Sequence, residues 1–310
     1  MSFLSRIRYM KYAKGWVMFS LVLTLVSLVT LLTVGLNKGI DFTGGTLLDV
    51  QFEQQLTLEQ VNEAVRTALG TDNIQVQNAE VKGAEWPNAS EFFIRTPELT
   101  EQQREGLEKA FAGLGNYKKI SEDGVSASVS AELTQRAVLA IAIAAVLQVI
   151  YITIRFQFKF GITAVLALLH DVAITLGLMA VFRVQINSAF VAAILTVLGY
   201  SMNDTVVVID RIRENLGKRQ KGETLEEMTT RSMQEVIFRS LATGVSVQMM
   251  LIAMLIWGGD SVWDFAMTLL IGITSGTYSS IFIAAALWLF WEQWEEKRRK
   301  AMGRSKPARA

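Results

Sequence analysis

The chain has 310 residues, 51% of them hydrophobic, with three prolines and a net charge of +1. It has no cysteine and one histidine, His170, which excludes disulfides, thiol chemistry and any histidine-rich or cysteine-rich metal centre. The near-zero charge excludes a strongly basic nucleic-acid binder; the informative quantity is where the charges lie.

Apolar runs fall at 16–36, 135–154, 161–181, 187–209, 236–257 and 265–290. Each is near the 20 or so residues that a helix needs to cross a bilayer. Arg6, Arg8, Lys11 and Lys14 precede the first run. That run is too long for a signal peptide, and no small-residue cleavage pattern follows before Asn37 and Lys38, so it reads as a retained anchor. Basic residues concentrate in the N-terminal stretch 1–15 before the first span, in the 155–160 connection (Arg155, Lys159), in the 210–235 loop and in the 291–310 tail (Lys297, Arg298, Arg299, Lys300). These are alternate connections, so six spans with both termini in the cytoplasm satisfy the positive-inside rule. The transmembrane part is thus 1–36 plus 135–290, and 37–134 lies outside.

That exterior segment holds 16 acidic and 8 basic residues and has the periodicities of a soluble fold. Thr46–Phe52 alternates like a strand. Leu58–Leu69 carries Leu58, Val61, Val65, Ala68 and Leu69 on one helical face. Ile74–Val81 and Glu91–Thr96 read as two strands bounded by Gly83 and Pro87. Thr100–Leu114 reads as a helix opened by a Thr100–Gln103 capping box, and Tyr117–Ile120 as a fourth strand. The order βαββαβ predicts a small ferredoxin-like α+β sandwich.

Three charged residues within the spans stand out, since intramembrane charges are costly unless they have a partner, a proton or water. Asp171, beside His170, is central in the third span. Asp204, beside Asn203, lies in the cytoplasmic half of the fourth, and Arg239 enters the fifth from the cytoplasm. At 1.5 Å per residue, Asp204 and Arg239 reach similar depth, so an Asp–Arg pair is expected. Each also has a plainer reading: Asp171 and Asp204 as satisfied helix-packing acids, Arg239 as a cation reaching the headgroups. In the sixth span, Gly272, Gly276 and Ser280 recur every four residues with Ser275 and Ser279 beside them. Such a stripe admits close approach of another helix. It is assigned to packing with a partner, although spacing alone does not say whether that helix belongs to this chain. No phosphate-cradling loop, nucleophile elbow, metal cluster or glycine-flanked aspartate pair appears, so neither an enzyme nor a cofactor is expected.

Several motifs in order resemble a known family. Asp41-Phe42-Thr43-Gly44-Gly45 follows the first span. Leu169-His170-Asp171 precedes Ile174-Thr175-Leu176-Gly177. Gly199-Tyr200-Ser201-Met202-Asn203-Asp204-Thr205 leads to Asp210-Arg211-Ile212-Arg213-Glu214-Asn215, and Gly276-Thr277 precedes Ser279-Ser280-Ile281. Together they resemble the SecF side of the SecD/SecF family of bacterial protein-export membrane subunits. The resemblance implies half of an RND-type transporter that pairs with SecD in the cytoplasmic (inner) membrane. It also implies action on unfolded preproteins at the SecYEG channel, with YajC and YidC as further associates. Within that resemblance Asp204 and Arg239 match positions of proton transfer, with Asn203 and Asp171 grouped beside them. Asp41, Phe42, Gly44 and Gly45 would form a hinge to the exterior domain. A non-conducting scaffold and a half-size RND exporter are the alternatives.

Overall fold

The computed structural model describes residues 9–79, 86 and 89–302. Arg6, Arg8, Gly83, Pro87 and the end of the basic tail lie outside the described residues. The chain forms two compact units, 38–139 and the remainder.

In the 38–139 unit, named exterior below after the expectation from charge, the strands are β1 (Gly45–Phe52), β2 (Gln75–Ala79), β3 (Ser90–Thr96) and β4 (Tyr117–Val125). They pair antiparallel in the order β2–β3–β1–β4, with α2 (Leu58–Leu69) and α3 (Glu101–Leu114) completing a βαββαβ fold. Both helices open with capping boxes, Thr57–Gln60 and Thr100–Gln103, which satisfy amide donors that no helical carbonyl can reach. Val61 and Val65 of α2 and Leu107 and Phe111 of α3 bury against Val50, Phe52, Phe92 and Ile94 of the sheet. Each fully buried side chain of this size contributes about 1.5–3 kcal/mol. β4 continues past the expected Ile120 to Val125, with a register shift opposite Asp49 and Val50. A bulge there turns Ile120 outward, which hides the strand's alternation in the sequence.

Gly44 and Gly45 enter β1 with φ of 71° and 113°. A Cβ on Gly45 would lie 2.2 Å from the Thr96 carbonyl oxygen. The joint is therefore tight and packed within its unit rather than loose. Gly45→Ala is expected to destabilise the exterior unit by about 2 kcal/mol or more. Amide exchange of the β1 and β3 backbone in the full chain would report this as lost protection.

The second unit is helical. Among the described residues, six helices are long and apolar enough to cross a membrane: Tyr9–Thr33, Ala127–Arg155, Phe158–Val181, Ser188–Gly217, Leu225–Trp257 and Val262–Ala301. They are named α1 (Ala13–Thr33, after a 3-10 turn), α4 (Ala127–Arg155), α5 (Phe158–Val181), α6 (Ser188–Gly217) and α7 (Leu225–Trp257), then α8 (Asp260–Ser279). α8 continues through a π turn, Ser280–Ala284, into α9 (Ala285–Ala301). The expected 210–235 loop is shorter than its charge suggested. α6 runs on to Gly217, and α7 begins at Leu225 with a Thr224–Glu227 capping box.

α5, α6 and α8 are half or more buried, whereas the α4 span is almost entirely exposed. α1 meets α5 where Gly177 abuts Ser27; a Cβ on Gly177 would lie 2.3 Å from the Ser27 Cβ. Phe160 of α5 stacks on Trp288 of α9, with ring centroids 5.2 Å apart. Nearby, Lys159 donates to Glu292 at 2.8 Å and to Glu295 at 2.7 Å.

The α6–α7 turn is held by Arg231, which donates to both oxygens of Glu223 at 3.0 and 3.2 Å. That hydrogen bond, helped by the Gln220 amide, holds the Glu223 carboxyl below its usual range. A depressed carboxyl contributes stability above its unfolded value, about 4.3, and loses it as pH falls through the lower folded value. A spin label at Lys221→Cys should therefore stay restrained at neutral pH and gain mobility only below that range. Glu223→Gln should leave the label mobile throughout.

Candidate functional site: two acids in one bundle

Asp171 has no exposed surface. Ser201 of α6 donates to its Oδ2 at 2.6 Å, and Ser279 of α8 donates to the same atom at 2.6 Å. Ser275 of α8 donates to Oδ1 at 2.9 Å, and His170 Nδ1 lies 3.0 Å from Oδ1. Four polar neighbours fill the acceptor positions of one carboxylate. Three helices thus converge on a single side chain, in a setting where apolar burial gives little reason for helices to associate.

Asp204 sits one face away and is 7% exposed. Ser240 of α7 donates to Oδ1 at 2.7 Å, while Oδ2 is buried with no hydrogen-bond partner. Asp204, Asn203, Tyr200 and Val207 of α6 line an open cavity of about 450 Å³ together with Arg239, Ala242, Thr243, Ser246 and Val247 of α7. Asn203, Asp204 and Arg239 therefore share one cavity, in line with their similar depth. The expected pair is electrostatic across the cavity rather than a direct contact. Arg239 is exposed, and among the described residues no ion pair within 4.0 Å joins it to Asp204. Depth along a helix does not fix rotation about it. Ser240, about 100° further round α7, takes the inward position instead.

The small-residue stripe meets α6 of the same chain, which corrects its assignment to a partner. A Cβ on Gly272 would lie 2.3 Å from Val197 Cγ2, and one on Gly276 would lie 2.9 Å from Ser201 Cβ. Ser280 Oγ lies 2.7 Å from Thr205 Oγ1. The two helices therefore run parallel in a matched four-residue register, 197/201/205 against 272/276/280.

Asp41, Phe42, Gly44 and Gly45 belong to the exterior unit. Ile40–Thr43 forms one helical turn, closed by the Gly44 amide donating to Ile40 O at 2.8 Å. The residues that sequence reasoning did not assign to the hydrogen bonding of the two acids are Ser201, Ser240, Ser275, Ser279 and Thr205. Ser275 and Ser279 carried a signal, four-residue spacing beside the glycines; Ser240 carried none beyond adjacency to Arg239. Among the described residues no group of three or more His, Asp or Glu could hold a metal ion.

Asp171→Ala would strand three buried hydroxyl donors and one imidazole. The expected loss is about 3 kcal/mol or more, read as a lower thermal midpoint of the detergent-solubilised chain. Asp204→Ala, with one serine donor, should cost less.

Residues 106–294 match the family described as "Protein export membrane protein SecD/SecF, C-terminal", and residues 29–56 match the SecD/SecF GG motif, which contains Gly44 and Gly45. A protein translocase subunit SecF of Sebaldella termitidis is 37% identical over 282 residues, covering 91% of this chain and 90% of that protein. One of Magnetococcus marinus is 39% identical over 277 residues, covering 86% of each. The crystal structure of SecDF, a translocon-associated membrane protein from Thermus thermophilus, superposes with a TM-score of 0.83 at 30% identity. That match covers 94% of this chain and 40% of the SecDF chain, so this chain spans well under half of that protein. By motif, by sequence over nine-tenths of its length and by fold, the chain belongs to the SecD/SecF family of protein-export membrane proteins, and the relatives it matches are named for the SecF subunit.

Proposed function

We propose that this chain is a proton-coupled auxiliary subunit of the Sec preprotein translocase. It pairs with SecD in the bacterial cytoplasmic membrane, with both termini in the cytoplasm, and uses the proton-motive force for late steps of export through SecYEG. Support for SecD as partner comes from the SecDF match, in which a chain like this one is 40% of a longer polypeptide. YajC, YidC and the unfolded preprotein belong to the same proposal, as does the absence of an enzymatic activity.

The observation that carries the coupling role is Asp204. Its Oδ2 lacks a hydrogen-bond partner and belongs to a residue that lines an open cavity, with Arg239 on the facing helix. A carboxyl in that position can gain or release a proton without dismantling the bundle, because only Ser240 depends on it. Asp171 is the opposite case. Four neighbours rely on it, so its role in this reading is to hold helices rather than to carry protons. Each proton moving down 100 mV releases about 2.3 kcal/mol. That suffices to bias a two-state rearrangement by several tens of fold. The joint formed by Asp41, Phe42, Gly44 and Gly45 would pass such a rearrangement to the exterior unit as a fixed turn.

The test is Asp204→Asn, which keeps volume and removes the titratable proton. Export driven by the proton-motive force should fall by about tenfold or more, while the protein level and co-purification with SecD stay unchanged. Arg239→Lys should retain part of the activity, because it keeps the charge but not the planar fork. Unchanged export in Asp204→Asn with SecD bound would leave the chain a non-conducting scaffold.

A further inference from the structure

The turn of α6 that carries Asp204 runs from Ser201 to Thr205, and its hydrogen bonding is unusual. A helical threonine commonly returns its hydroxyl to the carbonyl four residues back, as Thr175 does to Asp171 O at 2.7 Å and Thr229 does to Leu225 O at 2.7 Å. For Thr205 that carbonyl belongs to Ser201. In this protein Ser280 of the π turn takes the position instead, its Oγ donating to Ser201 O at 3.2 Å.

A serine hydroxyl has one proton. Either hydroxyl can donate in the 2.7 Å contact between Ser280 and Thr205; when Ser280 donates to Ser201 O, Thr205 is the donor to Ser280. Ser280 therefore bridges both ends of one turn of α6, and Asp204 lies inside that turn. All three residues are essentially inaccessible: Ser201 and Thr205 are 1% exposed and Ser280 is 0%. Gly276 makes the bridge possible by letting α8 approach Ser201. The bridge also joins the two acids, since Ser201 gives its own hydroxyl to Asp171. π turns within α-helices frequently occur at functional sites, and this one begins at the bridging residue.

The geometry points to Ser280, acting with Thr205 and Ser201, as a positioning residue for Asp204. It fixes the rotation of the Asp204 turn so that Oδ1 meets Ser240 and the other oxygen is left for proton exchange. The ionisable groups facing Asp204 are Tyr200 on its own helix and Arg239 on α7. The facing part of α8, Gly272 to Ser279, carries no Asp, Glu, Lys or Arg. Ser280 contributes no charge of its own and makes its hydrogen bonds to Ser201 and Thr205, so its effect on Asp204 is conveyed through the position of that turn. The inference rests on Asp204 as the exchanging acid.

Dicyclohexylcarbodiimide adds to a protonated carboxyl to give a stable acylurea, and mass spectrometry of the full-length chain with its partner locates the adduct. Labelling of Asp204 is measured across pH in the wild type, in Ser280→Ala and in Thr205→Val, which removes a hydroxyl at nearly constant volume. Both variants should shift the rate of Asp204 labelling at a given pH by about threefold or more while the chain stays folded and bound to its partner, with the thermal midpoint lowered by only a few degrees. Equal labelling profiles in all three proteins overturn the inference while leaving the coupling reading intact. A shift in both variants alongside normal export by Asp204→Asn supports the positioning role and removes the coupling reading. A wild type in which Asp204 never labels overturns both.

Discussion

A carboxylate with no exposed surface, deep in an apolar bundle, must be hydrogen-bonded on nearly every acceptor position or it destabilises the fold. Asp171 meets that constraint with Ser201, Ser275, Ser279 and His170, drawn from α5, α6 and α8. The rest of the helical unit follows from it. Serine side chains are short, so the three backbones must come close. Gly272 and Gly276 allow this on the α8 side, and the matched register with Val197 and Ser201 follows from the same spacing. In lipid, where Leu and Val gain little by leaving solvent, such polar and small-residue contacts decide which helices pack. α4, which has no share in them, is left almost wholly exposed.

The second acid is held quite differently. Asp204 is tied to a single donor, Ser240, and adjoins a cavity that Asp171 does not reach. The two aspartates lie in the same bundle and would be grouped together by their chemistry alone. Their environments separate them: four partners against one, complete burial against an open wall. In the proposed coupling, Asp171 would be the frame that does not respond to the proton and Asp204 the group that does.

Much of this was legible in the chain. Alternation in Thr46–Phe52, the Leu58–Leu69 apolar face and the Thr100–Gln103 box gave the exterior fold, because soluble packing writes itself into sequence period. Apolar length gave six helices. What sequence could not give was rotation. Counting residues placed Asp204 and Arg239 at one depth, and the structure puts both on one cavity, yet the inward position on α7 belongs to Ser240. The glycine stripe announced a close approach without naming the helix, and the neighbour proved to be α6 of the same chain. The start of α7 at Leu225 was hidden by charge, although the Thr224–Glu227 capping box was there to read.

The central claim is that water and protons reach Asp204 and do not reach Asp171. The chain contains no cysteine, so single cysteines can be introduced without background. Ser246→Cys lies on the wall of the Asp204 cavity, and Ser275→Cys lies against Asp171. In native membranes, a charged, membrane-impermeant methanethiosulfonate should modify Ser246→Cys at least about tenfold faster than Ser275→Cys. Equal rates, or faster modification of Ser275→Cys, would contradict the account.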